Sequence, residues 1–93
     1  MAQTRIAIHF IVFGHVQGVG FRSWTASLAK HFNVKGWVRN NSDGSVELVA
    51  EGNTDDLNQF SEHLKSGNSY SEVEQITQNQ ITVSSYRSFE IVY

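Results

Sequence analysis

An α+β sandwich, one antiparallel sheet with two helices on one face, is the fold class this sequence predicts. Several segments alternate apolar residues at period two, and two others repeat them at the helical period. In chain order they read β-α-β-β-α-β, with a short extra C-terminal strand, the order of a ferredoxin-like arrangement.

From Arg5 to Phe13, Ile6, Ile8, Phe10 and Val12 set one apolar face, while β-branched and aromatic residues also fill the opposite positions. A central strand covered on part of both sides has this pattern, and Gly14 is expected to end it. Phe21, Trp24, Leu28, Ala29 and Phe32 follow on one face of a helix over 21–32. Residues 34–40 and 46–51 read as strands joined through Asn41-Ser42-Asp43-Gly44, whose Asp-Gly pair signals a hairpin. In the second of these strands Val46, Leu48 and Ala50 alternate with Glu47 and Glu51, which leaves one face to water. Thr54 can cap a second helix. Asp55 and Asp56 suit its dipole, Leu57, Phe60 and Leu64 form its stripe, and Gly67 can end it. Strand character returns near 73–83 and 88–92, interrupted by Gln, Asn and Ser.

The 93 residues, 40% hydrophobic and 17% charged, suit one globular domain over 1–93 with one modest core. With no cysteine, disulfides, thiolate metal sites and a cysteine nucleophile are excluded. No apolar run is long enough for a bilayer and none resembles a signal-peptide core, so a cytoplasmic location without a membrane partner is expected, and a monomer is the default. A net charge of −2 argues against a nucleic-acid partner, which usually demands a basic surplus. That sum conceals an asymmetry: residues 1–45 hold five Lys/Arg and one acid, residues 46–93 two Lys/Arg and eight acids. A site for an anion is therefore expected in the first half.

Gly14-His15-Val16-Gln17-Gly18-Val19-Gly20 places three glycines in seven residues, a density that signals tight backbone geometry. The helix that follows lacks a conventional cap, because Val19, Gly20 and Phe21 stand where Ser, Thr, Asp or Asn would accept its leading N–H groups. Glycines ahead of those donors let the backbone curl inward and the dipole adds positive potential, so the fitting occupant is an anion, above all a phosphate. Arg22, in the first turn, offers a bidentate fork to phosphate oxygens. Without an anion, a cation there opposes the dipole by about 0.3–1 kcal/mol. The alternative is an ordinary turn capped by Gly20, with Arg22 a solvated surface residue. Two nucleotide motifs do not fit. Gly14 and Gly18 are too close for a P-loop and no Gly-Lys-Ser/Thr follows, while Ser23 stands where the dinucleotide pattern needs glycine.

The run Gly14-His15-Val16-Gln17-Gly18-Val19-Gly20-Phe21-Arg22 resembles the signature of the acylphosphatase family. So does Gly36-Trp37-Val38-Arg39-Asn40-Asn41-Ser42-Asp43-Gly44-Ser45-Val46-Glu47, and Phe89-Glu90-Ile91-Val92-Tyr93 resembles the family's closing strand. The resemblance spans nearly the whole chain. It implies hydrolysis of a small-molecule acyl phosphate to a carboxylate and inorganic phosphate, with no metal, no other cofactor and no covalent intermediate. It also implies that the backbone of His15, Val16, Gln17, Gly18, Val19 and Gly20 binds the phosphate, that Arg22 clamps it, and that Asn40 holds the attacking water. Read without the resemblance, Asn40 is a turn residue at a strand end. Thr25 matches a position the family commonly fills with Thr; its hydroxyl could support Asn40 or the water, or bond a preceding carbonyl. Acylphosphatase-like domains also occur within larger proteins. The alternative function is therefore a non-catalytic phosphate- or ligand-binding module, since a fold alone licenses no activity.

His15 could in principle act as nucleophile or base, but no carboxylate close in sequence would orient it. His9, His31 and His63 form no i, i+4 pair and indicate no metal site. Trp24, Phe32 and Trp37 are assigned to core packing rather than base stacking, because Gly18-Val19-Gly20-Phe21 falls at a loop-to-helix junction and not on a strand.

Overall fold

A computed structural model describes residues 4–93. The elements β1 (Arg5–His15), α1 (Phe21–His31), β2 (Lys35–Asn40), β3 (Val46–Asn53), α2 (Thr54–Ser66), β4 (Glu72–Ile81) and β5 (Phe89–Val92) follow in the predicted order. They form one five-stranded sheet, β4-β1-β3-β2-β5, with both helices packed on one face, the ferredoxin-like sandwich. β1 to β4 pair antiparallel, whereas β5 lies parallel to β2, from Gly36↔Phe89 to Arg39↔Val92.

The core lies between sheet and helices. Phe10 and Val12 of β1, Val38 of β2 and Leu48 and Ala50 of β3 meet Phe21 and Ala29 of α1 and Leu57, Phe60 and Leu64 of α2. Phe10 and Phe60 pack edge to face with ring centroids 6.3 Å apart. Each fully buried Phe or Leu stabilises the fold by about 1.5–3 kcal/mol. Trp24 and Phe32 pack at the margin of this core, as predicted. Trp37 does not: it shares the helix-free face with its register partner Val49, and its indole N–H donates to the Tyr86 hydroxyl at 3.2 Å.

The helix-free face corrects a second expectation, that Glu51 lies on a wet surface. Glu51 is fully buried. The cause is the strand order, which places β4 and β5 at opposite edges and sends the 82–88 connection across this face. The crossing backbone needs acceptors for its N–H groups. Glu51 supplies them, accepting from Ser84 N at 2.8 Å and Tyr86 N at 2.9 Å, with the Arg5 guanidinium at 3.3 Å. Further along the same face, Glu47 accepts from Arg39 Nε at 3.0 Å and lies 2.6 Å from His9 Nε2. Burial pushes the Glu47 carboxyl up, but the bonds to His9 and Arg39 outweigh it and hold the group below its ordinary value.

Several boundaries also move by a residue or two, those of β1 and α2 among them. β1 does not stop at Gly14 but continues to His15, with a bulge between Phe13 and Gly14 where it pairs with β4. Gly14 has φ 133°, and a Cβ there would meet the Glu72 carbonyl oxygen at 2.1 Å, so only glycine passes. The cap of α2 is Asn53 rather than Thr54, which is the first helical residue. Asn53 Oδ1 accepts from Asp56 N at 2.8 Å and its Nδ2 donates to Asp56 Oδ2 at 2.8 Å, a reciprocal pair.

Strand directions decide which residues can meet. β1 and β2 are both antiparallel to β3, so they run the same way, and β5 follows β2. Their C-terminal ends, His15, Asn40 and Val92, therefore lie at one end of the sheet. The start of α1, which follows β1, and the loop entering the antiparallel β4 reach the same end.

Candidate active site

At this end of the sheet α1 begins without help from any side chain. Its N-cap is Gly20, in the left-handed region at φ 74° and ψ 18°, with no side-chain cap bond and no acid in the first turn. A non-glycine residue is disfavoured in that conformation. The first helical bond runs from Trp24 N to Gly20 O at 3.0 Å. The N–H groups of Phe21, Arg22 and Ser23 come before it and have no acceptor within the helix. Partial positive charge accumulates there, and the Arg22 guanidinium adds a full one.

One pocket collects these groups. Val16, Gly18, Gly20, Phe21, Arg22, Ser23 and Asn40 line about 110 Å³. That is small beside the roughly 300–1,000 Å³ of clefts that enclose a drug-sized ligand, and suits a group of about phosphoryl size. All seven residues lie within 1–45, the half whose charge balance predicts an anion site.

Arg22 is half-buried, and no carboxylate forms an ion pair with it among the described residues. Its guanidinium carbon lies 4.7 Å from the centroid of the Tyr93 ring, which β5 delivers to this end. A cation–π contact orients the fork while leaving its five N–H donors for an anion.

Asn40 is exposed at the end of β2, where a braced hairpin follows it. Asn41 N donates to Ser45 O at 2.9 Å, and Asp43 Oδ1 accepts from Ser45 N at 2.9 Å and Ser45 Oγ at 2.6 Å. The Ser45 hydroxyl and then its backbone N–H hold the Asp43 carboxyl below the usual range. Gln17 ties this hairpin to the glycine loop. Its Nε2 donates to Asn41 O at 2.7 Å and Ser45 O at 2.9 Å.

The loop residues thus divide. Val16, Gly18 and Gly20 line the pocket, Gln17 reaches across to the hairpin, and Val19 packs its side chain against the core. His15 stands apart, exposed as the last residue of β1 in register with Glu72, outside the pocket lining. Thr25 is fully buried and its Oγ1 has no hydrogen-bond partner among the described residues, neither Asn40 nor a preceding carbonyl. Phe21 and Ser23 line the pocket although neither is among the site residues expected from the sequence. Their positions, first and third in an uncapped helix, are the signal that could have found them. Among the described residues no group of three or more His, Asp or Glu could hold a metal ion, and no helix is long and apolar enough to cross a membrane.

Fold and pocket together define the class: a ferredoxin-like domain with a small cationic pocket at the start of its first helix. The acylphosphatase family model matches residues 8–91. An acylphosphatase of Treponema denticola is 49% identical over 89 residues, covering 96% of this chain and 95% of that protein. The crystal structure of acylphosphatase from Bacillus subtilis superposes with a TM-score of 0.92 at 38% identity, over 95% of this chain and 99% of the other. Full-length HypF, crystallised in a phosphate- and nucleotide-bound form, matches all of this chain at a TM-score of 0.93 and 33% identity, but with only 12% of its own length. The chain belongs to the acylphosphatase family, and is therefore a hydrolase of acyl phosphates.

Proposed function

We propose that hydrolysis proceeds by in-line attack of water held by Asn40 on a phosphoryl group bound by Arg22 and the 15–20 loop. The observation that carries this reading is the convergence of the uncapped α1 start, Arg22 and Asn40 on one pocket. An acyl phosphate expels a carboxylate whose conjugate acid has a pKa of roughly 4, so departure needs no protein acid. What remains is to neutralise the equatorial phosphoryl oxygens and align water opposite the leaving oxygen, a task of positioning and electrostatics.

The loop and first-turn N–H groups with the Arg22 fork perform the first task, and Asn40 performs the second. Its amide has no basicity at neutral pH, so it orients water and the proton passes to a phosphoryl oxygen of the substrate. Within the loop, the pocket supports backbone roles for Val16, Gly18 and Gly20 most directly. His15 has the weakest support. The acyl group projects to solvent, consistent with a broad choice of acyl substituent. The reaction needs no metal under this reading.

Benzoyl phosphate hydrolysis with a chelator present, in wild type, Arg22→Ala and Asn40→Ala, tests this assignment. Arg22→Ala is expected to weaken inorganic phosphate binding as well as turnover, and Asn40→Ala to cut turnover severely while sparing phosphate affinity. Equal loss of phosphate binding in both variants would refute the division of roles. The alternative is a phosphate-binding module without turnover, since a part of the larger HypF shares this fold. Wild-type hydrolysis no faster than buffer, with phosphate still bound, would establish it.

A further inference from the structure

Asn68, in the polar loop between α2 and β4, has no part in the chemistry described above. Its side-chain Nδ2 nevertheless donates to the backbone carbonyl of Val19 at 2.8 Å, across 49 positions of sequence. A carbonyl only accepts, so the amide must present nitrogen rather than oxygen to it. The other half of the amide gains nothing: Oδ1 is buried with no partner among the described residues. Leaving a buried acceptor empty is costly, so the donor bond is what keeps this side chain in place. The loop holds it there. Asn68 N donates to Ser71 Oγ at 2.9 Å, and Ser71 N and Oγ donate back to Asn68 O at 3.2 and 3.1 Å.

The Val19 carbonyl shares a rigid trans peptide plane with the Gly20 N–H, and the two point in opposite directions. Gly20 lines the pocket, and a Cβ on it would have the Asn68 Nδ2 as its nearest neighbour, at 4.0 Å. Glycine at positions 18 and 20, both at φ 74°, leaves the backbone around that plane permissive, and the Asn68 bond adds to the restraint from Val19 packing and the Trp24 N–H on Gly20 O. We propose that Asn68 is a positioning residue for phosphate recognition: by anchoring the Val19 carbonyl on the outer side of the loop, it turns the Gly20 N–H inward, toward the anion. The inference rests on the loop being the phosphate site.

The test is a titration with inorganic phosphate followed by amide ¹H–¹⁵N spectra, in wild type, Asn68→Ala and Arg22→Ala, with benzoyl phosphate kinetics alongside. Asn68→Ala is expected to weaken phosphate binding by about 2- to 10-fold, the worth of one hydrogen bond. KM should rise by a similar factor and kcat should fall far less than in Asn40→Ala, because Asn40 is untouched. The phosphate-induced shift of the Gly20 amide should shrink markedly more than that of Gly18. An unchanged affinity and Gly20 response, or a loss spread evenly over the loop, would overturn the proposal. If Asn68→Ala does not fold, Asn68→Asp keeps the shape and removes the donor. Its added charge is screened by salt whereas the lost donor is not, so a Gly20-selective loss relative to wild type that persists at high ionic strength supports the proposal, and a uniform loss, or one that salt abolishes, overturns it. Phosphate affinity unchanged in Arg22→Ala would instead defeat the underlying site assignment.

Discussion

At the start of α2, Asn53 accepts the Asp56 N–H at 2.8 Å and two aspartates occupy the first turn. At the start of α1, Gly20 offers no side-chain acceptor, no acid follows, and Arg22 adds positive charge. Both helices follow a strand, pack on the same sheet face and face the same backbone problem of unpaired leading N–H groups. α2 solves it internally and contributes stability. α1 leaves it open, and under the proposed function its unpaired donors form the anion site that a ligand completes. Removing a group at α1 should therefore cost binding and turnover, whereas removing the cap at α2 should cost stability alone.

The largest expected effects fall at α1. Arg22→Ala should lower kcat/KM for benzoyl phosphate by about 10²–10³, the scale of losing a charge-stabilising donor, and Asn40→Ala should lower kcat by a similar factor. A change below tenfold in either would place the chemistry elsewhere. Next comes the control at α2. Asn53→Ala should destabilise the fold by about 0.5–2 kcal/mol in urea unfolding and leave kcat/KM unchanged.

Smaller again is the effect of Tyr93, a residue 94% exposed that holds Arg22 only by a cation–π contact. Tyr93→Ala should weaken phosphate binding by about 0.5–1 kcal/mol, seen as a raised inhibition constant with stability intact. The smallest effect lies away from both helix starts, at Glu47. A carboxyl held below its ordinary value of 4.5 stabilises the fold fully above that value and loses the contribution as pH falls through the folded value. Glu47→Gln should therefore cost about 0.2–1 kcal/mol at neutral pH and progressively less on acidification. A cost that grows toward acid would reverse the sign of this argument.

The sheet and both helices are legible in the sequence because their core residues repeat at fixed periods over β1, α1 and α2. Arg22 is legible too, since an uncapped helix carrying a cation in its first turn asks for an anion. Asn40 is not. Asn ends many strands, and only family resemblance separates a water-holding amide from a turn residue. Long-range geometry hides the rest. The burial of Glu51 depends on β4 and β5 lying at opposite edges, which no local pattern encodes. Gln17 and Asn68 each spend a side-chain donor on a distant backbone carbonyl, and a polar residue in a loop reads the same with or without such a partner. The cap of α2 shifts from Thr54 to Asn53 because both residues can cap and only the backbone angles decide.

The contrast between the helix starts is tested most directly by urea unfolding of wild type, Asn53→Ala and Arg22→Ala, with and without inorganic phosphate at a concentration of about 100 times the wild-type Kd. Binding to the folded state alone should stabilise wild type by about 2.7 kcal/mol. Asn53→Ala, less stable at the outset, should gain the same amount, and Arg22→Ala should gain little or nothing. An equal gain in Arg22→Ala would contradict the account, because phosphate would then be bound somewhere other than the open start of α1.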